Sequence, residues 1–210
     1  MIISNRRNNT QSNLVYTVLL LLTGYGVSYF NSQLFNGFGT IVWLLIFILI
    51  SLSFNSVRSL MVPLLNFKPL KSPMTYLYMF VGIFIPYLML KLSIHYEILM
   101  DRSLIVYYKN GLVEGLKQYP LIVAVIFAPI WEELFFRGVL LFALLKIVKP
   151  IWAVVITSVI FSLFHPAYLF LSLIAGVVLA CITIKTKSVV PSTVTHSIWN
   201  LYTGKLFLFL

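Results

Sequence analysis

The chain carries too few charges for a protein surrounded by water. Only 10% of its 210 residues are charged, and Asp and Glu together number 5; soluble globular domains are about 25% charged. Hydrophobic residues make up 60% of the chain and the mean hydropathy is +0.99. So much apolar side chain cannot be covered by so few polar groups, and the solvent must be partly lipid. A single cysteine, Cys181, excludes an intrachain disulfide and with it the disulfide-stapled secreted class; its place in an apolar run predicts a core-packing role. Intrinsic disorder and collagen-like repeats are excluded by the same composition. The shortage of acids leaves a net charge of +10. In a soluble chain that excess would suggest nucleic acid, but here the basic residues sit between apolar runs, as in loops beside an anionic leaflet, so no nucleic-acid partner is expected.

What is present is a series of apolar segments: Leu14 to Phe30, then about Phe38 to Val57, Met74 to Leu92, Pro120 to Val148, Ile151 to His165, Ala167 to Ile184 and Val189 to Leu210. The first follows Arg6 and Arg7 in the manner of a secretory signal. It is long for such a segment and no small-residue cleavage pattern follows, so it reads as a retained span. The expected fold is all-α, a polytopic integral membrane protein of about seven transmembrane helices, with six to eight as the range that the length allows. One long polar stretch, Ser93 to Tyr119, holds Glu97, Asp101 and Glu114 and reads as an interfacial helix and loop. If each segment crosses once from a cytoplasmic N-terminus, Arg6, Arg7, Arg58, Lys68, Lys71, Lys146, Lys149, Lys185 and Lys187 lie inside. Lys91, Arg102, Lys109, Lys117 and Lys205 then lie outside, a bias that supports this orientation.

Two of the five acids, Glu132 and Glu133, are adjacent in the middle of the fourth apolar segment, with Arg137 four residues further on. A carboxylate at that depth costs about 2.5–3.5 kcal/mol, so a compensating partner or water is required. Glu133 and Arg137 share a helix face at a spacing that suits an ion pair, whereas Glu132 is rotated about 100° away and lacks that partner. Two of the three histidines are also inside apolar segments: His165, one turn after Phe161, and His196, one turn before Asn200. His95, in the polar stretch, reads as a solvated surface residue. At about 1.5 Å per residue, Glu132, His165, His196 and Asn200 all fall roughly 13–22 Å from the cytoplasmic helix ends, so they share the middle of the membrane. Pro129 and Pro166 flank them and can loosen local backbone pairing.

An acid, two imidazoles and an amide around a wet cavity suit hydrolysis. Glu132 can take a proton from water while a histidine or Asn200 stabilises the developing oxyanion. The same Glu132, His165 and His196 can instead hold a divalent metal such as zinc with an open fourth position. The spacing leaves both readings open, and no serine or cysteine nucleophile is favoured.

Taken together, Glu132-Glu133-x-x-x-Arg137, Phe161-x-x-x-His165 and His196-x-x-x-Asn200, in that order, resemble the three signatures of the CPBP intramembrane proteases, also called the CAAX protease and bacteriocin-processing or Abi family. The resemblance covers residues 116–210 and implies a catalytic transmembrane core there. Residues 1–115 supply N-terminal transmembrane helices and the polar loop, the two parts forming one continuous membrane domain. By resemblance, Glu132 activates water, His165 and His196 are catalytic or metal-coordinating partners, Asn200 stabilises the oxyanion, and Glu133, Arg137 and Phe161 support them. It implies a membrane-associated peptide or protein substrate, a bacterial plasma membrane location, and a role in bacteriocin processing or self-immunity. It leaves the metal question open. Two other readings compete on the residues: a non-catalytic membrane immunity or interaction protein, and a proton-coupled carrier, which no inverted repeat supports.

Overall fold

The computed structural model describes residues 2–35, 38–109 and 120–204, with side chains described for all of these except 2–14, 31–33, 103, 104, 107 and 108. Glu114, Lys117 and Lys205 lie outside the described residues, as do the side chains of Arg6 and Arg7. Every described secondary-structure element is a helix or helical turn. Helix α1 (Ile2–Leu34) packs on α2 (Gly39–Ser53). Tyr16 meets Ser51 at 3.1 Å, and a Cβ placed on Gly24 would touch the Trp43 ring, so the two helices run antiparallel. Phe54 adopts an extended backbone that stops α2, and the chain turns through 111° into α3 (Asn55–Met61). Arg58 of α3 donates Nη1 to the carbonyl of Leu52 at 3.2 Å, satisfying an acceptor that the end of α2 leaves open. Two short 3₁₀ turns, Val62–Leu64 and Lys68–Lys71, lead to α4 (Pro73–Tyr96), which starts with proline at its first position, where a missing N–H costs nothing.

Helix α5 (Arg102–Lys109) follows. Residues 121–144 are helical throughout, but the pairing changes along them: π-helical at Val123–Phe127, regular in α6 (Ala128–Glu133), π-helical again at Leu134–Leu141, and regular in α7 (Phe142–Leu144). The chain ends in α8 (Pro150–Leu163), a 3₁₀ turn at Pro166–Tyr168, α9 (Leu169–Thr186) and α10 (Val189–Gly204). Helix α9 packs against α8, α4 and α10. Gly82 of α4 permits part of this: a Cβ there would sit 2.7 Å from Ile182 Cδ1 and 3.0 Å from Thr195 Cγ2. The largest apolar cluster joins Tyr16, Leu20, Leu44, Phe47, Val57 and Met61 to Leu134, Val139 and Val189, so the N-terminal helices and the later ones share a core. Large apolar side chains such as Leu22, Leu49, Phe80 and Ile151 remain exposed, as hydrocarbon-facing surfaces do.

The two ends of this bundle differ in charge. Ser188 Oγ donates to the carbonyls of Leu64 (3.2 Å) and Asn66 (2.6 Å), which ties the α9–α10 turn to the connection before α4. Ile184, Leu144 and Val148 pack against one cluster that contains Ala153 and Val154, bringing the start of α8 to the same end. Arg58, Lys68, Lys71, Lys146, Lys149, Lys185 and Lys187 therefore gather there, in connecting segments that contain no acid. At the other end, Asp101 N–H donates to the Ala167 carbonyl at 3.0 Å, joining the α4–α5 connection to the α8–α9 turn. Glu97 pairs with Lys109 at that end, and the hydrogen bond from Lys109 holds its carboxyl below the usual carboxylate range. His95 is exposed there.

Two sequence expectations change, and the count of about seven spans is not confirmed. Among the described residues, α4 and residues 166–186 are long and apolar enough to cross a membrane, or three spans if the bent α2–α3 pair counts. Helix α8 falls short in length, and residues 121–144 carry Glu132, Glu133 and Arg137 and are broken by π turns. The segment Phe38 to Val57 is not one straight span, because Phe54 ends the helix. Cys181 is exposed, not packed in the core: Ala180, Ile182 and Thr183 take the inner face of α9, and the thiol lies on the outer one with Phe170, about three turns earlier.

Candidate active site

Glu132 and Glu133 close α6, directly before the second π-helical stretch, and the 100° between them separates their surroundings. Glu133 is fully buried. Its Oε1 accepts from Arg137 Nη1 at 2.8 Å, the pair expected from the four-residue spacing, and also lies 3.1 Å from His196 Nδ1. Arg137 is itself enclosed: Nη2 donates to the Gly176 carbonyl at 3.3 Å, and its guanidinium carbon sits 4.4 Å from the centre of the Phe161 ring. Phe161 therefore does more than wall a cavity. It carries Arg137 on its face, meets His165 at 4.6 Å and stands edge-on to His196 at 5.9 Å, so one ring spaces all three groups.

Glu132 is held differently. Its side chain keeps 13% of its surface, and Oε2 is buried without a hydrogen-bond partner, 3.8 Å from His196 Nε2. His165 also lies within electrostatic reach of this carboxylate. His165 Nδ1 is 2.9 Å from the Phe161 carbonyl. A carbonyl only accepts, so the neutral His165 ring carries its proton on Nδ1; the carboxylate of Glu133 fixes His196 in the same way. Both rings thus offer Nε2 as an acceptor. Glu132 Oε2 and His196 Nε2 are then two acceptors facing one small gap.

Asn200 is where the structure departs from the simplest reading. Its Nδ2 donates to the Ala124 carbonyl at 2.8 Å. The cause is local: in the π-helical stretch Ala128 N–H reaches back to Val123, and the next residue in that register is Pro129, which has no N–H to offer Ala124. The Asn200 amide fills that deficit with one N–H and retains a second. Asn200→Ala is accordingly expected to lower thermal stability in detergent by about 1 kcal/mol, the lower end of the cost of an orphaned acceptor, because the Ala124 carbonyl is partly buried. An unchanged melting temperature would show that the bond carries nothing.

The structure brings Glu132, Glu133, Arg137, Phe161, His165 and His196 together around one ring, with Asn200 anchored beside them through the π stretch. Gly176 and Tyr168 join them without having been singled out in the sequence. Tyr168 meets His165 at 5.6 Å and lies within electrostatic reach of Glu132. Gly176 had a legible signal, a small residue inside a long apolar helix. A Cβ at Gly176 would come within 3.1 Å of the Ser158 backbone, so the α8–α9 crossing depends on it. Gly176→Val should cost about 1–3 kcal/mol of stability and reduce activity, because the carbonyl that holds Arg137 must move. Thermal unfolding and cleavage assays together check this.

As for a metal, no group of three His, Cys, Asp or Glu side chains among the described residues is arranged to hold one.

Residues 116–202, the stretch containing all of these groups, match the family model described as Rce1-like, type II CAAX prenyl endopeptidase Rce1-like. Over this stretch the chain is similar to that family. The match is consistent with a protein of the CPBP family, as the three paired signatures imply, and supports intramembrane endopeptidase activity in general. No curated protein and no solved structure matches the chain. The matched stretch contains Glu132, Glu133, Arg137, His165, His196 and Asn200.

Proposed function

We propose that the protein is an intramembrane endopeptidase in which Glu132 and His196 hold and activate the attacking water. The observation that carries this reading is the contrast between the two glutamates: Oε2 of each is buried without a hydrogen-bond partner, but Glu133 Oε1 is committed to Arg137 and His196, while Glu132 has no such tie and its Oε2 faces His196 Nε2 at 3.8 Å. A water donating one hydrogen to each acceptor presents its lone pair to a peptide carbonyl. Glu132 takes the proton as the water oxygen bonds to the carbonyl carbon, the C–N bond breaks, and the proton passes to the leaving amine nitrogen. The second N–H of Asn200 is the candidate donor to the oxyanion, and His165 completes the polar wall.

In this reading residues 1–115 and 116–210 are one membrane domain with about seven crossings, several of them short or broken, and the N-terminus on the cytoplasmic side of a bacterial plasma membrane. The shared core of the two parts and the all-basic end support it. The substrate is a membrane-associated peptide or protein; bacteriocin processing or self-immunity is the proposed setting, and the name of the matched family makes a prenylated peptide a second candidate. His196→Ala and His165→Ala, purified at normal yield, should each lose about 10²-fold or more in cleavage of a membrane peptide. Full cleavage by both would remove the histidines from the mechanism.

A divalent ion such as zinc held by Glu132, His165 and His196 is the second reading. It is favoured by the proton positions alone, since each Nδ1 is tied to a carboxylate or carbonyl, as metal-bound histidines are. Protein purified without chelator would then contain near-stoichiometric metal, lost on either His→Ala change. Metal-free protein that remains active leaves the glutamate mechanism standing.

A further inference from the structure

We propose that Ser192, backed by Thr183, is a positioning residue for hydrolysis: a hydrogen-bonded chain runs from the Thr183 hydroxyl through the Ser192 hydroxyl to the Glu133 carboxylate and so holds His196 toward Glu132. The proposal rests on the endopeptidase reading for what the held histidine does, whereas the chain of hydroxyls stands on geometry. Ser192 lies one helical turn before His196 on α10, and Thr183 lies two turns after Gly176 on α9, so each shares a face with a residue that already meets the site. Thr183 Oγ1 and Ser192 Oγ are 2.9 Å apart. Ser192 is also within hydrogen-bonding reach of the Glu133 carboxylate. Thr183, Ser192 and Glu133 are all 0% exposed, so bulk water does not compete for these bonds.

The direction of the chain follows from counting protons, since each hydroxyl has one to give. That of Thr183 has the Leu179 carbonyl at 3.0 Å as its other acceptor, and that of Ser192 has the Val189 carbonyl at 3.0 Å. Val189 is already served by Thr193 Oγ1 at 2.8 Å and by the helix N–H one turn on, which fills both of its lone pairs. The Glu133 carboxylate is the stronger acceptor, because it carries charge and its Oε2 is buried without a partner. Ser192 therefore gives its proton to Glu133 and takes one from Thr183. Glu133 Oε1 is shared by Arg137 Nη1 at 2.8 Å and His196 Nδ1 at 3.1 Å. A third donor fixes the rotation that those two leave to the carboxylate, and a fixed Oε1 fixes the His196 ring, whose Nε2 faces Glu132 Oε2 at 3.8 Å.

The test compares Ser192→Ala, Thr183→Val, the double variant and Thr183→Ser, each as the full chain in proteoliposomes with a membrane-anchored peptide. Ser192→Ala should lower kcat about 10-fold with KM unchanged, and Thr183→Val, which keeps the volume and loses the hydroxyl, about 3-fold. The double variant should be no slower than Ser192→Ala, because both changes interrupt one chain. Thr183→Ser should retain the wild-type kcat. Losses that multiply in the double variant, or KM rising in step with a falling melting temperature, would overturn the proposal and make the two hydroxyls simple helix-to-helix bonds. A second readout needs no substrate. In protein carrying isotope-labelled histidine, the His196 Nδ1 proton, assigned by its absence from His196→Gln, should give a sharp downfield NMR signal in wild type and Thr183→Ser and a broadened one in Ser192→Ala and Thr183→Val. Broadening in those two variants with no cleavage even by the wild type sinks the endopeptidase reading and keeps the chain of hydroxyls. Wild-type cleavage with an unchanged signal and unchanged kcat in Ser192→Ala sinks the positioning role alone.

Discussion

Removing either Glu133 or Arg137 alone is expected to destabilise the protein by about 3–5 kcal/mol, and removing both is expected to restore much of the loss. Arg137 is 1% exposed and Glu133 0%, so a single Gln substitution strands a full charge where neither water nor another opposite charge in direct contact can meet it. Arg137 keeps only the 3.3 Å bond to Gly176 and the Phe161 face when Glu133 is lost. Glu133 keeps the neutral contacts of His196 and Ser192 but no cation in direct contact when Arg137 is lost. Thermal unfolding of Glu133→Gln, Arg137→Gln and the double variant in detergent measures the coupling directly; additive losses would contradict the pairing and free Arg137 for a role toward substrate. The double variant should nevertheless stay inactive, because Glu133 also orients His196 and fixes its proton on Nδ1.

The neighbouring carboxylate should behave in the opposite way. Glu132→Gln is expected to reduce cleavage by about 10²–10⁴-fold while leaving the melting temperature unchanged or raised. Its Oε2 is buried without a partner, so the native carboxylate is a destabilising group retained for chemistry, and a neutral amide of the same shape relieves that burden. Two adjacent glutamates on one helix thus give contrasting signatures, one structural and one catalytic. A large stability loss on Glu132→Gln would place it in the supporting network with Glu133.

The sequence carried the site further than the fold. Charged residues inside apolar segments are conspicuous because the bilayer penalises them, and helical spacing alone paired Glu133 with Arg137 and put Phe161 beside His165. What spacing could not convey was long-range partnering. That His196 bonds to Glu133 as well as facing Glu132, and that Gly176 receives Arg137, depends on how α9 and α10 pack against α6, which no local pattern encodes. The π-helical stretches were hidden for a related reason: Pro129 signals a weak point, but only the packed structure shows the spare carbonyl of Ala124 taken by Asn200. The fold was read too regularly. Apolar runs read as whole spans, whereas Phe54 breaks one of them and π-helical stretches interrupt the pairing of another. Cys181 reads as a core residue because its neighbours are apolar, although beside lipid an apolar residue has no reason to face inward.

The central claim, that this chain hydrolyses a peptide bond with Glu132, is tested most directly in proteoliposomes containing a single membrane-anchored peptide substrate. Products of the wild-type protein and of Glu132→Gln are followed by mass spectrometry under single-turnover conditions. The account predicts one new carboxyl and one new amino terminus from the wild type, their masses together exceeding the substrate by one water, and no product from Glu132→Gln on the same timescale. Equal cleavage by the two proteins would contradict it, as would an intact substrate with wild-type protein that still protects its host cell.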